Sequence, residues 1–219
     1  MVRANFERDL QLLHNELTEM GGFVGSAIED SIRAFKTHDK ELCKAIIEND
    51  KIVDTMETRI EAKCLWLIAR EQPVASDLRR ITTALKMTTD IERIGDHASD
   101  IAELVLRVPD KNAFSDSGHI PQMAAAAMKM VAESIDAFVK KDLDLAGSVI
   151  AYDDTVNALF DKVKKALTEL ISQNADDGDQ AIDLIMIAKY FERIGDHAKN
   201  IAEWVIFSLT GMHKDIQVM

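Results

Sequence analysis

Apolar residues recur every three or four positions from the start of this chain. Phe6, Leu10, Leu13, Leu17, Met20, Val24, Ile28, Ile32 and Phe35 form one such series, the period of a helix that buries one face. Thr37-His38 interrupts it, and Asp39 stands where the N-cap of a second helix belongs. The pattern predicts that second helix to about residue 70 and a third over about 74–107. Helices over about 122–140, 142–173 and 179–210 follow, with Asp142 as the matching cap and residues 174–179 as the matching loop. About 30 helical residues span about 45 Å, and short loops force such helices to pack antiparallel. The predicted fold class is all-α: two tandem, sequence-related antiparallel three-helix bundles.

The two halves are copies. Residues 90–103 and 190–203 share ten of fourteen positions, including Glu-Arg-Ile-Gly-Asp-His-Ala without a break. Such self-similarity at a fixed spacing marks an internal duplication. It extends beyond this signature at an offset of 103: Ser31-Ile32 matches Ser134-Ile135, Ala34-Phe35 matches Ala137-Phe138, and Asp50 matches Asp153. The offset falls to 100 by the signature, so the second copy is shorter near its second loop. Pro109 and Pro121 bracket a stretch holding Asn112, Ser115, Ser117 and Gly118, which reads as a linker. The expected division is a first repeat over 1–108, a linker over 109–121 and a second repeat over 122–219.

The signature carries acids four apart, Glu92, Asp96 and Asp100, then Glu192 and Asp196, each set forming one stripe on its helix. The second helix has Asp50 and Asp54, answered in the second copy by Asp153 and Asn157. Counted from loops centred near residues 72 and 175, Asp54 stands level with Glu92 and Asp50 with Asp96. Asn157 likewise stands level with Glu192, and Asp153 with Asp196. Facing carboxylates repel, and a polyvalent cation with several oxygen ligands relieves that repulsion. All-carboxylate ligation selects Fe(III), Mn, Mg or Ca, with Zn also admissible. The expected metal site is therefore multinuclear and doubled, with Asp50, Asp54, Glu92, Asp96 and Asp100 in one half and Asp153, Asn157, Glu192 and Asp196 in the other. Gly21, Gly22, Gly25 and Ser26 fall at the same height, where small side chains leave room for ions or for close helix approach. Gly95 and Gly195, costly inside a helix by about 1 kcal/mol each, are expected to serve such an approach. Arg93 and Arg193 are expected to pair with Asp96 and Asp196 or to cross the interface. His97 and His197 are read as surface or salt-bridged groups rather than ligands, and Glu103 and Glu203 as solvated.

Composition narrows the function. The 219 residues hold 38 acids against 26 Lys and Arg, a net charge of −12, and the pI is near 4.9. That argues against nucleic acid and against adsorption to anionic lipid. Two cysteines, Cys43 and Cys64, are too few for a disulfide framework, and no 18-residue apolar run exists. A soluble, reducing, cytoplasmic setting is expected. No phosphate-cradling GxxxxGK[ST] loop occurs, and no catalytic residue is assigned. The chief alternative, a di-iron carboxylate oxidoreductase, is disfavoured because Ile94 and Ile194 occupy the positions where a Glu-x-x-His motif needs glutamate. A third possibility is a purely structural helical scaffold with its acids solvated.

The run Leu67-Ile-Ala-Arg-Glu-Gln-Pro-Val-Ala-Ser-Asp-Leu-Arg79, followed by Asp90-Ile-Glu-Arg-Ile-Gly-Asp-His-Ala98, strongly resembles the PhoU family over nearly the whole chain. The resemblance implies two three-helix bundles, each with an E(D)xxxD signature that binds a multinuclear cluster, iron first, with zinc or another divalent ion as alternatives. It implies a homodimer and a negative regulator of phosphate transport and of the Pho regulon. Such a regulator restrains the starvation response when phosphate is plentiful, through the ATPase subunit of the phosphate ABC transporter and a sensor histidine kinase. The protein would then reach the inner face of the membrane only through these partners. Asn157 and Asn200 stand where the first half has Asp54 and Asp100, so the second site carries less charge.

Overall fold

The computed structural model describes residues 2–108, 119–173, 178–214 and 216–217. Six helices follow in chain order: α1 (Val2–Thr37), α2 (Lys40–Glu71), α3 (Ser76–Val105), α4 (His119–Lys140), α5 (Leu143–Gln173) and α6 (Gly178–Thr210). The linker expected over 109–121 falls mostly outside the described residues, as do positions 174–177 of the second inter-helix loop.

The turns that begin α2 and α5 show the duplication at atomic level. His38 and Lys141, 103 apart, both adopt left-handed backbone, with φ of 52° and 55°. The next residue caps the helix: Leu42 N donates to Asp39 Oδ1 and Leu145 N to Asp142 Oδ1, both at 3.0 Å. These bonds satisfy amides that have no partner inside the helix. Asp39→Ala is expected to remove about 1 kcal/mol of stability, a fall of a few degrees in Tm for a chain of this size, read by differential scanning calorimetry.

Two helix starts differ from the sequence reading. α3 begins at Ser76 rather than near 74, because Gln72 and Ala75 have positive φ, 45° and 49°, on either side of the Pro73 turn. α4 begins at His119, ahead of Pro121, since proline fits a first turn whose N–H groups need no intrahelical partner. Beyond Gly211 (φ 81°), two strands that the sequence did not suggest, β1 (Met212–His213) and β2 (Ile216–Gln217), pair antiparallel. His213 stacks on Trp204 of α6 with ring centroids 4.1 Å apart.

α1–α3 form one bundle and α4–α6 the other, and α3 packs along α6 between them. The predicted apolar series of α1 is the core: Phe6, Leu10, Leu13, Leu17, Met20, Val24, Ile28 and Phe35 are all buried. α1 also meets α4, where a Cβ on Gly21 would lie 2.9 Å from Ile135 Cδ1. Gly22 and Gly25 border open space rather than a close helix contact, since a Cβ on either would meet nothing within 4 Å. Met123 and Met130 are buried, and so are the free thiols of Cys43 and Cys64. Burial, then Glu61 and Glu16, pushes the Cys64 thiol up to about 12, so it stays protonated and unreactive. No described helix is long and apolar enough to cross a membrane.

Candidate metal centre

The hairpin of α2 and α3 brings its acids together at the height that counting from the loop predicts. Asp50, Asp54 and Asp96 each offer a carboxylate oxygen, all within 4.8 Å of one another. Helix periodicity places Asp50 and Asp54 one turn apart on α2, and Gly95 lets α3 approach. A Cβ there would stand 3.2 Å from Val53 Cγ1 and 3.6 Å from Asp50 Oδ1. That contact accounts for a glycine inside a long helix, at the residue beside Asp96.

Glu92 and Asp100 flank this trio on α3, a turn to either side of Asp96. Burial, then Asp96 and Asp54, pushes the Asp50 carboxyl up to about 6, with Asp100 adding to the shift. Burial, then Asp96 and Glu57, pushes Glu92 up to about 7 against the opposing pull of Arg93. Glu57 belongs to the cluster although the sequence reading passed over it. It is half-buried, and burial followed by Glu61 and Asp54 raises its carboxyl. The signal was present: Glu57 lies seven residues after Asp50 and three after Asp54, on the same stripe. Among the described residues the Lys or Arg in ion-pair contact with these acids is Arg93, 2.9 Å from Asp96 and 3.5 Å from Glu92, while the His97 ring lies 3.3 Å from Asp100. One guanidinium among six carboxylates leaves negative charge that a polyvalent ion with oxygen ligands would neutralise. The donor set and its spacing therefore fit a hard metal ion.

The second half keeps the scaffold and changes the charge. Asp153 is 3% exposed, yet its Oδ2 accepts from Lys199 Nζ at 2.9 Å and from Asn157 Nδ2 at 3.2 Å. Lys189 pairs with Glu192. Asp196 has its carboxyl raised by burial, then by Glu192 and Asp153, so these three acids still face one another. At the positions of Lys189, Lys199, Asn157 and Phe160 the first half has Thr89, Ser99, Asp54 and Glu57. Two lysines thus do in the second hairpin what the first leaves undone. Both substitutions are visible in the repeat alignment but acquire meaning only once the lysines are seen to fold back on the acids.

The histidines of the signature meet at the α3–α6 interface. Their rings lie 5.6 Å apart. His97 Nδ1 is 3.3 Å from Asp100 Oδ2 and its ring stacks on Tyr190. His197 Nδ1 is 2.8 Å from Asp90 Oδ1, which also accepts from Asn200 Nδ2 at 3.2 Å. Both rings thus contact carboxylates, although burial holds the His97 imidazole below its ordinary value, and Asn200 joins the two halves rather than the second acidic set. Arg93 pairs with Asp96 as expected, whereas Arg193 contacts no described carboxylate and instead acts on His97 and Tyr190. Glu103 is exposed, but Glu203 is half-buried and paired with Lys214 at 3.2 Å, since the terminal hairpin folds over it.

Known proteins share this architecture. A family model described as PhoU domain matches residues 17–105 and again 120–205. The chain is 37% identical over 217 residues to the phosphate-specific transport system accessory protein PhoU homolog of Clostridium acetobutylicum, with 99% of each chain covered. It is 36% identical over 215 residues to the protein of the same name from Pseudomonas aeruginosa, covering 96% of this chain and 87% of that one. The crystal structure of PhoU from Pseudomonas aeruginosa matches with a TM-score of 0.89 at 34% identity, over 94% of this chain and 100% of that one. The phosphate transport system regulatory protein PhoU from Streptococcus pneumoniae matches with a TM-score of 0.86 at 26% identity, over 96% and 100%. With both halves matched by the domain and almost the full length shared with these relatives, the chain belongs to the PhoU family.

Proposed function

We propose that this chain is a metal-bearing regulator of phosphate uptake and phosphate-starvation signalling, an adaptor and not an enzyme. It would link the phosphate ABC transporter's ATPase subunit to a sensor histidine kinase and repress the response when phosphate is plentiful. The relatives' description as accessory proteins of phosphate-specific transport supports this reading. The observation that carries its metal part is the trio Asp50, Asp54 and Asp96, with Glu92, Glu57 and Asp100 beside it. A bound cluster, iron first with zinc as the alternative, would supply positive charge that lets α2 and α3 close. Asp153, Glu192 and Asp196 with Asn157 would hold metal more weakly, because Lys199 and Lys189 already occupy their oxygens.

Elemental analysis of untagged protein purified without added metal tests the metal part. More than one transition-metal ion per chain is expected, most of it lost in Asp96→Ala and little in Asp196→Ala. Folded, metal-free wild type, or equal loss in both variants, would overturn it. The adaptor part is tested separately by co-purification with the transporter's ATPase subunit and by expression of phosphate-starvation genes in phosphate-rich medium after deletion. Unchanged repression in the deletion strain would remove that part.

A further inference from the structure

A cavity of about 760 Å³ opens between the two bundles, lined by α1, α3, α4 and α6. Its size is that of a pocket for a small organic ligand. In a chain with 38 acids and 26 Lys and Arg, no described carboxylate lines it. Its cationic wall is Arg79, Arg80 and Lys141, drawn from α3 and the turn after α4, with His14 of α1 beside them. Arg80 is engaged, with Nη1 at 3.2 Å from Glu7 and 3.8 Å from Asp77. Arg79 is not: its Nε is buried without a hydrogen-bond partner among the described residues. A buried guanidinium donor left unsatisfied costs free energy that an incoming acceptor would recover. Lys141 likewise pairs with no described acid, and after burial itself Lys141 and Arg80 hold the His14 imidazole below its ordinary value. Two of the cavity's cations, Arg79 and Lys141, therefore lack a described counterion, while Arg80 has Glu7 and Asp77.

The floor has a different character. His14 stacks on Phe138 with ring centroids 4.5 Å apart and a 25° tilt, and Leu13, Leu17 and Leu209 continue the apolar surface. Cations arriving from α3 and from the turn after α4, with the His14 ring as a further polar group, suit a tetrahedral group of charge near −2 better than a flat carboxylate. A stacked ring pair suits a planar body.

We propose that this inter-bundle cavity binds a phosphoryl group, held by Arg79 and Lys141, with the planar part of an organic phosphomonoester against His14 and Phe138. The site is about 25 Å along α3 from Asp96, by a 1.5 Å rise per residue, and the proposal does not depend on metal binding.

Isothermal titration of the full chain, dialysed against chelator, with adenosine monophosphate, inorganic phosphate and adenosine tests it. Saturable binding of a phosphoryl probe is expected, at least about tenfold weaker in Arg79→Gln/Lys141→Gln, as for loss of charge-assisted hydrogen bonds. Asp50→Asn/Asp96→Asn should bind as wild type does. Lys141→Gln alone, at an exposed turn, keeps the test open should Arg79→Gln fail to fold. Tighter adenosine monophosphate supports the proposal whole. Equal affinity for inorganic phosphate supports the phosphoryl site and overturns the ring contact. Absence of binding by either phosphoryl probe at millimolar concentration, or undiminished binding in the variants, overturns the site.

Discussion

Lys199→Met is expected to destabilise the metal-free chain by about 2–3 kcal/mol at pH 7. Asp153 is 5% exposed at its side chain and receives its charge compensation from Lys199 Nζ at 2.9 Å. Removing one partner of a buried ion pair strands the other, at about 3–5 kcal/mol. The lower figure applies because the lysine side chain keeps 34% exposure, and because Asn157 Nδ2 remains on Asp153 Oδ2. Asp153 Oδ1 has no hydrogen-bond partner among the described groups, so nothing nearby takes over. Adding Asp153→Asn should restore most of the loss, a coupling that a double-mutant cycle in urea reads directly. An unchanged unfolding midpoint in Lys199→Met would show that the pair is not formed in solution. Lys199→Ser places the first repeat's residue there and should raise the second site's metal uptake while weakening the metal-free fold.

Glu92→Gln should act in the opposite direction and only above acidic pH. Burial, then Asp96, pushes the Glu92 carboxyl from its ordinary 4.5 up to about 7. The folded chain then binds more protons than the unfolded chain between these values, so its stability falls as pH rises through that window. Below pH 4 the carboxyl is protonated in both states and contributes no penalty. About one unit above pH 7 the penalty is nearly complete, about 3 kcal/mol at 1.36 kcal/mol per pH unit. With 14% side-chain exposure, solvent screening trims this little. Glutamine carries no charge, so the variant should match the metal-free wild type near pH 4 and exceed it near pH 8. Urea unfolding at both pH values checks the sign. An ion bound at the cluster should remove the variant's advantage, since it stabilises the ionised glutamate. Glu192→Gln should gain nothing at pH 8, because Lys189 already offsets that charge.

The sequence alone determined the fold class, because helix periodicity, the Asp39 and Asp142 caps and the duplication are local or repeat-level signals. It also determined the height of the acids. Two helices joined by a short loop leave little freedom along their axes, so counting from residue 72 placed Asp50 level with Asp96 and Asp54 with Glu92, and the structure brings Asp50 and Asp54 together on Asp96. Gly95 was legible as a contact point for the same reason. Glu57 was legible too, at the three- and seven-residue spacings of the same stripe. The tertiary structure decided what long, flexible side chains do once the helices are in place. Lys199 reaches Asp153 on the neighbouring helix through a rotamer that no spacing dictates, whereas Lys189 and Glu192 stand three apart on α6, so the two acidic sets diverge in charge despite a shared signature. It also decided that Asn200 and His197 turn to Asp90 across α3 and α6, since a contact between halves depends on rotation about the helix axes. The cationic cavity was hidden for the same reason. Arg79 and Lys141 are far apart in the chain, and only the docking of one bundle on the other brings their charges together beside His14.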